Sequence, residues 1–234
     1  MQSPWRVRRG QERVITGNRQ ASWAFADAYG AELVENAESV ALRWARERAQ
    51  ESGLRAVSSG TGAALRMLAA TCGAKAVAEI GTGCGVSGIH LLHGMRPDGV
   101  LTTVDVEPEW QQFARHAFRG AGFAHNRARF IPGHALEVLP RLADGGYDLV
   151  FCDGDRMEYL DYLGEAMRLL RPGGLICFEG TFAEGRTVDT STAQSAEVLK
   201  MRELLRTVRE STTLLPALLP CGDGLLCAVK REDD

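Results

Sequence analysis

From residue 76 onward, short apolar runs alternate with stretches of helical periodicity, and this alternation restricts the possible folds more than any other feature. The apolar runs lie at residues 76–80, 99–106, 129–132, 147–152 and 175–178. Helical patterns lie between them, at residues 86–96, 108–121, 135–143 and 156–170. Strands that alternate with helices build βαβ units, in which parallel strands are covered by helices on both faces. The sequence therefore predicts an α/β fold with a mostly parallel sheet.

The N-terminal part of the chain has a different pattern. Residues 1–20 carry five arginines against one glutamate, so we expect a basic arm outside the core. This arm is either a frayed terminus or a cover for a partner subunit or for the active-site mouth. Apolar residues recur at steps of three and four over 21–50, and a further helix is expected over 61–72. Trp23 and Trp44 could line a substrate pocket, but their helical spacing favours packing in the core.

The C-terminal part is predicted to close the sheet with an antiparallel hairpin. After a further helical pattern, two apolar runs at 212–219 and 225–229 are joined by a glycine-containing turn. The sequence contains no internal repeat and no low-complexity linker. We therefore predict one domain over 21–234, with N-terminal helices over 21–72 and the sheet over 73–234.

Charge and composition exclude several classes of protein. Lys and Arg number 27 against 30 Asp and Glu, a net charge of −3, so the chain lacks the basic field of a nucleic-acid binder. No apolar run approaches the roughly 18 residues of a membrane helix, and the N-terminus has no apolar region of a secretory signal. Six cysteines without CxxC or zinc-site spacing indicate buried thiols in a reducing compartment. We expect a cytoplasmic protein that acts on a small molecule, without nucleic acid or membrane as a partner.

A glycine-rich loop is the strongest local signal for function. The run EIGTGCG, residues 79–85, follows the first predicted strand and opens a helix. Glycines allow a sharp turn and close approach of a ligand, and a helix N-terminus offers free N–H groups to a negative charge. Asp105 ends the next strand, 24 residues after Gly81, where a carboxylate can accept hydrogen bonds from both hydroxyls of a ribose. The sequence therefore predicts a site for a nucleoside cofactor.

The spacing of the glycines indicates which cofactor is bound. The dinucleotide fingerprint GxGxxG requires a glycine where this chain has Val86. The loop instead reads GxGxG with Ser87 beyond it, and no phosphate-binding lysine follows. This pattern favours S-adenosylmethionine, and an NAD-dependent oxidoreductase remains a less favoured alternative.

The same motifs give the chain a family resemblance. These motifs, in their order along the chain, resemble those of the S-adenosylmethionine-dependent O-methyltransferases of the catechol and caffeoyl-CoA type. Five runs carry the resemblance: AEIGTGCGVS at 78–87, GVLTTVDVEPE at 99–109, GHAL at 133–136, YDLVFCDGD at 147–155 and LLRPGGL at 169–175. The resemblance implies a Rossmann-like class I methyltransferase fold, with a seven-stranded, mostly parallel sheet whose last strand is antiparallel.

The resemblance also implies the residues of the cofactor site. In this family Ser87 would hold the methionine carboxylate, Asp105 the ribose and His134 the adenine, while Asp153 would face both the methionine amine and the methyl acceptor. The complete expected set is Val57, Glu79, Gly81, Thr82, Gly83, Ser87, Asp105, Val106, His134, Ala135, Asp153 and Asp155. Asp153 and Arg156 are the expected catalytic residues.

The chain departs from the family pattern where metal-dependent members bind Mg²⁺. Those members use the counterpart of Asp153 and an Asp-Asn pair after the fifth strand, where this chain has Glu179 and Gly180. The family's lysine is replaced by Arg156, which stays protonated and cannot accept a proton. We therefore predict no metal site, with Asp153 and Glu179 as ligands only if a remnant survives. Arg156 could instead hold an anionic substrate, or it could simply be solvated at a helix start.

These observations lead to one main hypothesis and one alternative from another class. The main hypothesis is a methyltransferase that moves a methyl group from S-adenosylmethionine to an oxygen of a small molecule, without requiring a divalent metal. The alternative is a binding protein that keeps the cofactor pocket but has lost catalysis. The resemblance further implies a homodimer, in which the N-terminal helices form the contact.

Overall fold

Three helices precede the first strand. The structure is a computed structural model that describes residues 19–33, 36–187 and 195–232, so most of the predicted basic arm, residues 1–18, lies outside the described residues. These helices are α1 (Arg19–Glu32), α2 (Asn36–Glu51) and α3 (Ser59–Thr71). The helical periodicity over 21–50 therefore belongs to two helices. At the start of α3, the Ser58 hydroxyl accepts a hydrogen bond from the Thr61 N–H, as expected of an N-cap.

The sheet has seven strands in the order β3-β2-β1-β4-β5-β7-β6. The strands are β1 (Ala76–Ile80), β2 (Val100–Asp105), β3 (Ala128–Pro132), β4 (Tyr147–Cys152), β5 (Leu170–Phe178), β6 (Leu214–Leu219) and β7 (Leu225–Lys230). The first five are parallel, whereas β7 is antiparallel to both β5 and β6. The predicted parallel sheet and its closing hairpin are confirmed.

Helices follow most of the parallel strands. They are α4 (Val86–Gly94), α5 (Pro108–Gly120), α6 (Ala135–Val138), α7 (Tyr159–Leu169) and α8 (Ala196–Glu210). Pro108 at the first position of α5 and the Ser195 cap of α8 mark two of the starts. None of the helices in the described part of the chain is long and apolar enough to cross a membrane.

Two apolar clusters lie on the two faces of the sheet, because alternate strand residues point in opposite directions. Along β4, Val150 and Cys152 contribute to the cluster under α7 and α8. Leu149 and Phe151 contribute to the other cluster, which lies under the helices α3, α4 and α5. This double cover explains why the strands are nearly uninterrupted apolar runs.

The N-terminal helices contribute unequally to this core. Trp44 of α2 packs against α5, with ring centroids 6.2 Å from Phe113 and 4.5 Å from His116. Trp23, in contrast, is half exposed, and Phe25 of α1 is 72% exposed. The apolar periodicity of α1 therefore does not reflect packing within the described part of this chain.

Candidate cofactor and acceptor site

Three positions of the glycine loop between β1 and α4 have positive φ values, which favour glycine. Gly81, Gly83 and Gly85 have φ values of +93°, +47° and +93°. A Cβ atom at Gly81 would lie only 2.3 Å from the carbonyl oxygen of Asp153. The loop can therefore turn beneath the end of β4 and start α4 with its N–H groups pointing outward from the sheet edge.

Asp105 connects this loop to the end of β2. Its Oδ2 accepts a hydrogen bond of 2.9 Å from the Gly83 N–H, and its Oδ1 accepts one of 3.0 Å from the Glu107 N–H. Only 7% of its surface is exposed. The Asp105 carboxylate therefore holds the glycine loop in place before any ligand binds, in addition to the ribose contact that the sequence predicts.

Glu79 lies behind the loop, in the interior of the protein. Its two oxygens accept hydrogen bonds of 2.6 Å from the hydroxyls of Ser87 and Thr103. Burial raises the pKa of this carboxyl to about 7, although the two hydroxyl donors oppose that change. Glu79 thus joins β1, β2 and α4, and it supports the cavity wall without lining it.

A cavity of about 420 Å³ opens at the carboxyl ends of β1, β2 and β4. Such a position is where ligands bind to open parallel sheets. Except for Glu79, every residue expected at the cofactor site lines it: Val57, Gly81, Thr82, Gly83, Ser87, Asp105, Val106, His134, Ala135, Asp153 and Asp155. The structure therefore brings together residues that are spread over about 100 positions of the sequence.

Other lining residues were missed by the sequence analysis. Arg55 enters the wall from the connection between α2 and α3, and Glu158 and Tyr162 enter it from the start of α7. The Tyr162 hydroxyl donates a 2.7 Å hydrogen bond to Oε2 of Glu158. Arg55 precedes Val57 by two residues, and Glu158 and Tyr162 are one helical turn apart. In the sequence, only these short spacings indicate that the three residues belong to the site.

Two carboxyl groups with raised pKa values lie where β4 and β5 end. Desolvation raises the pKa of Asp153 to about 7, while Arg156 and Arg55 oppose this change. Desolvation, followed by the charge of Asp153, raises the pKa of Glu179 to about 8. The Glu179 Oε2 atom is buried and has no hydrogen-bond partner among the described residues. Such carboxyls can accept a proton near neutral pH.

The residues at this end do not fit a divalent metal ion. Within residues 19–33, 36–187 and 195–232, no three His, Cys, Asp or Glu side chains are grouped closely enough to hold one. Gly180 offers no side-chain ligand atom, and the guanidinium of Arg156 lies directly beside it. A fixed positive charge and a missing oxygen ligand both disfavour a hard cation.

Comparison with known proteins assigns the family. A family model described as O-methyltransferase matches residues 34–231. The chain belongs to this O-methyltransferase family. The predicted cofactor, S-adenosylmethionine, is confirmed over the nicotinamide alternative, because solved relatives contain it or S-adenosylhomocysteine. A probable O-methyltransferase of Mycobacterium tuberculosis is 49% identical over 211 residues, which are 90% of this chain and 91% of that protein.

Solved structures of two relatives have the same fold. A Corynebacterium glutamicum protein is 30% identical with a TM-score of 0.82, covering 91% of this chain and 99% of that one. The O-methyltransferase TomG from Streptomyces achromogenes, involved in tomaymycin synthesis and solved in complex with S-adenosylmethionine, is 28% identical. It has a TM-score of 0.79 and covers 91% of this chain and 99% of its own.

Proposed function

We propose that this O-methyltransferase binds S-adenosylmethionine in the 420 Å³ cavity and methylates an oxygen of a small molecule beside Asp153. One observation carries the proposal. The Asp105 carboxylate and the glycine loop are already bonded to each other at the mouth of a cavity whose other end reaches Asp153. A cofactor that spans from ribose to sulfonium would place its methyl group at that end.

Different residues of the cavity wall would contact the different parts of the cofactor. Asp105 would accept hydrogen bonds from the ribose hydroxyls, and Val106, His134 and Ala135 would enclose the adenine. Near the methionine end, the N-terminus of α4 and Ser87 would bind the carboxylate. The Ser87 hydroxyl donates to Glu79, so its remaining contribution is the positively polarised backbone of the first helical turn.

The chain's own residues explain how the reaction would proceed. S-adenosylmethionine supplies an electrophilic methyl group on a positively charged sulfur. The cavity walls align the acceptor oxygen with that methyl carbon, which is the main contribution an enzyme makes to such a displacement. Asp153, with a pKa of about 7, would accept the proton of a neutral hydroxyl acceptor. Arg156 cannot accept a proton, so it contributes only charge and hydrogen bonds.

Calorimetry with S-adenosylhomocysteine tests cofactor binding directly. We expect a dissociation constant in the micromolar range, and the absence of binding at tens of micromolar would contradict the proposal. Binding without turnover over a broad panel of phenols, acids and amines would support the alternative of a binding protein. The replacement of the family's metal-site residues by Glu179 and Gly180 favours that alternative. A methylated product, detected by mass spectrometry, would rule it out.

We further propose a cytoplasmic homodimer. The exposed apolar side chains of Phe25 and Tyr29 in α1, and of Leu33 directly after it, support a contact between copies, because water-exposed apolar patches usually mark interfaces. All six cysteines are free thiols, which suits a reducing compartment. Light scattering should give twice the 25.4 kDa chain mass, and a monomeric mass would contradict the dimer.

A further inference from the structure

The Arg156 guanidinium occupies the space that a side chain at residue 180 would fill. A Cβ atom added to Gly180 would lie 2.1 Å from Nη2 of Arg156, 2.7 Å from its Cζ and 2.8 Å from its Nε. Gly180 also has a φ of +73°, in the left-handed region that residues with side chains rarely adopt. The chain thus places a guanidinium directly over the backbone that follows β5.

Ion pairs from two other elements hold Arg156 in this position. Its Nη1 donates a 2.9 Å hydrogen bond to Glu197 of α8, and its Nη2 donates one of 3.4 Å to Asp223 in the turn between β6 and β7. The side chain is only 18% exposed. These two bonds use two of the five N–H donors of a guanidinium, so donors remain for a ligand.

The positive charge of Arg156 acts on the acceptor end of the cavity. Arg156 is not itself one of the residues that line the cavity, but it shares a partner with Arg55, which does. Both guanidinium groups approach Oδ2 of Asp223, Arg156 at 3.4 Å and Arg55 at 3.8 Å. The positive charges of both also lower the pKa of Asp153. Arg55 lines the cavity and pairs at 2.8 Å with Glu184. Asp153 therefore faces two permanent cations that belong to the chain itself.

We propose that Arg156 is the resident cation of the acceptor end, in the place that a divalent ion has in metal-dependent relatives, and that the site accepts an oxyanion such as an ionised phenol or a carboxylate. This inference rests on the proposed function. A guanidinium binds such oxygens through charge-assisted, often paired hydrogen bonds. The oxyanion donates an electron pair to the methyl carbon while the carbon–sulfur bond breaks and S-adenosylhomocysteine leaves. An acceptor that is already ionised needs no base, so the proton-accepting role of Asp153 applies only to an acceptor that arrives as a neutral hydroxyl.

Manganese binding tests whether the site excludes a divalent ion. Protein saturated with S-adenosylhomocysteine is titrated with Mn²⁺ and free Mn²⁺ is followed by electron paramagnetic resonance, so failure of cofactor binding is recognised first. We expect no site tighter than millimolar in the unmodified protein and at least a tenfold gain in the triple variant Arg156→Lys, Glu179→Asp, Gly180→Asn. Micromolar Mn²⁺ binding by the unmodified protein that Asp153→Asn abolishes would overturn the proposal, even if the triple variant does not fold.

Thermal melts test the position of the guanidinium. Gly180→Asn should lower Tm by about 5 °C more than Gly145→Asn, because both glycines have positive φ but nothing lies within 4 Å of a Cβ at Gly145. In an Arg156→Ala background the extra loss at Gly180 should disappear. An equal loss with and without Arg156 would show that the guanidinium is not seated there.

The probe 4-nitrophenol tests the acceptor class, since its ionised form absorbs visible light. We expect the complex with S-adenosylhomocysteine to bind the phenolate and to lower the apparent pKa of the probe. Arg156→Gln should weaken this binding at least tenfold and leave the affinity for S-adenosylhomocysteine within twofold, whereas the exposed control Arg119→Gln should change neither. Binding of the neutral phenol, no binding at millimolar probe, or unchanged affinity in Arg156→Gln would each contradict an oxyanion site.

Discussion

The two ends of the proposed site are built from different kinds of contact. The cofactor end consists of Glu79, the glycine loop and Asp105, and the acceptor end consists of Asp153, Arg156 and Glu179. At the cofactor end, the hydrogen bonds that shape the wall join residues 8, 22 and 24 positions apart, all within β1, the loop after it, the start of α4 and β2. At the acceptor end, the ion pairs of Arg156 join residues 41 and 67 positions apart, from three separate elements. The first end is a local unit, whereas the second exists only after the sheet has closed.

This difference determines what a substitution should do at each end. At the cofactor end, the loop glycines have backbone conformations that other residues rarely adopt, and the buried carboxyls have no alternative hydrogen-bond partners. Single substitutions there should therefore lower the free energy of unfolding substantially. At the acceptor end, partly exposed ion pairs contribute less to stability, and their main effect should be on the ligand. The following predictions test this comparison, from the largest expected effect to the smallest.

The largest loss is expected for Gly81→Ala. A φ of +93° and a Cβ only 2.3 Å from the Asp153 carbonyl oxygen require the backbone to shift. We expect urea denaturation to show a loss of about 4 kcal/mol in the free energy of unfolding. The control Gly145→Ala has positive φ but open space, and it should lose about 1 kcal/mol. Equal losses would show that the loop is not the rigid unit described here.

Glu79→Gln should change how stability depends on pH. The folded protein raises the pKa of this carboxyl from 4.5 to about 7, so the unfolded chain releases the proton first as the pH rises. The wild type should therefore lose about 3 kcal/mol from this group between pH 4.5 and 7, with its full contribution present below pH 4.5. The Gln variant should lose this part of the slope and keep the part that comes from Asp153 and Glu179, whose pKa values are also raised. The exposed control Glu137→Gln should retain the whole slope. Parallel curves for all three proteins would contradict the raised pKa.

Asp105→Ala should weaken the binding of S-adenosylhomocysteine by about a hundredfold, because hydrogen bonds to a charged group contribute about 1.5 to 3 kcal/mol each. Asp148 provides a matched control near the start of β4, at the amino-terminal ends of the parallel strands. Its Oδ2 likewise accepts backbone hydrogen bonds, of 2.7 and 2.9 Å, from Lys75 and Ala76. Asp148→Ala should reduce stability without affecting the calorimetric affinity, and unchanged binding by Asp105→Ala would remove Asp105 from the site.

The smallest effect is expected at the acceptor end, for Tyr159→Phe. The Tyr159 hydroxyl lies 3.0 Å from the carbonyl oxygen of Glu179 and 3.3 Å from that of Cys152, and so connects the ends of β5 and β4. Its loss should cost about 1 kcal/mol in urea denaturation. Tyr162→Phe, which removes a partly exposed bond to Glu158, should cost less. A larger cost for Tyr162→Phe would indicate that the strand ends are held in another way.

The cofactor end could be predicted because its information is local. The GxGxG loop, the strand before it and Asp105 lie in one βαβ unit, and the backbone rules for glycine and for parallel strands apply within that unit. The same rules do not show that Asp105 bonds to the loop or that Glu79 is turned inward. The first fact depends on the backbone N–H of Gly83, and the second on the hydroxyls of Ser87 and Thr103. Only the packing of β1, β2 and α4 brings these partners within reach.

The sequence by itself determined the α/β class, the strand alternation and the closing hairpin, since burial on both faces of a parallel sheet is written as apolar runs at regular intervals. It also showed that Gly180 and Arg156 depart from the metal-binding pattern. Only the tertiary structure decided that these two departures belong together, with the guanidinium of one filling the space left by the other. The physical reason is that steric fit and ion pairing between distant residues depend on distances in space, which spacing along a chain does not specify.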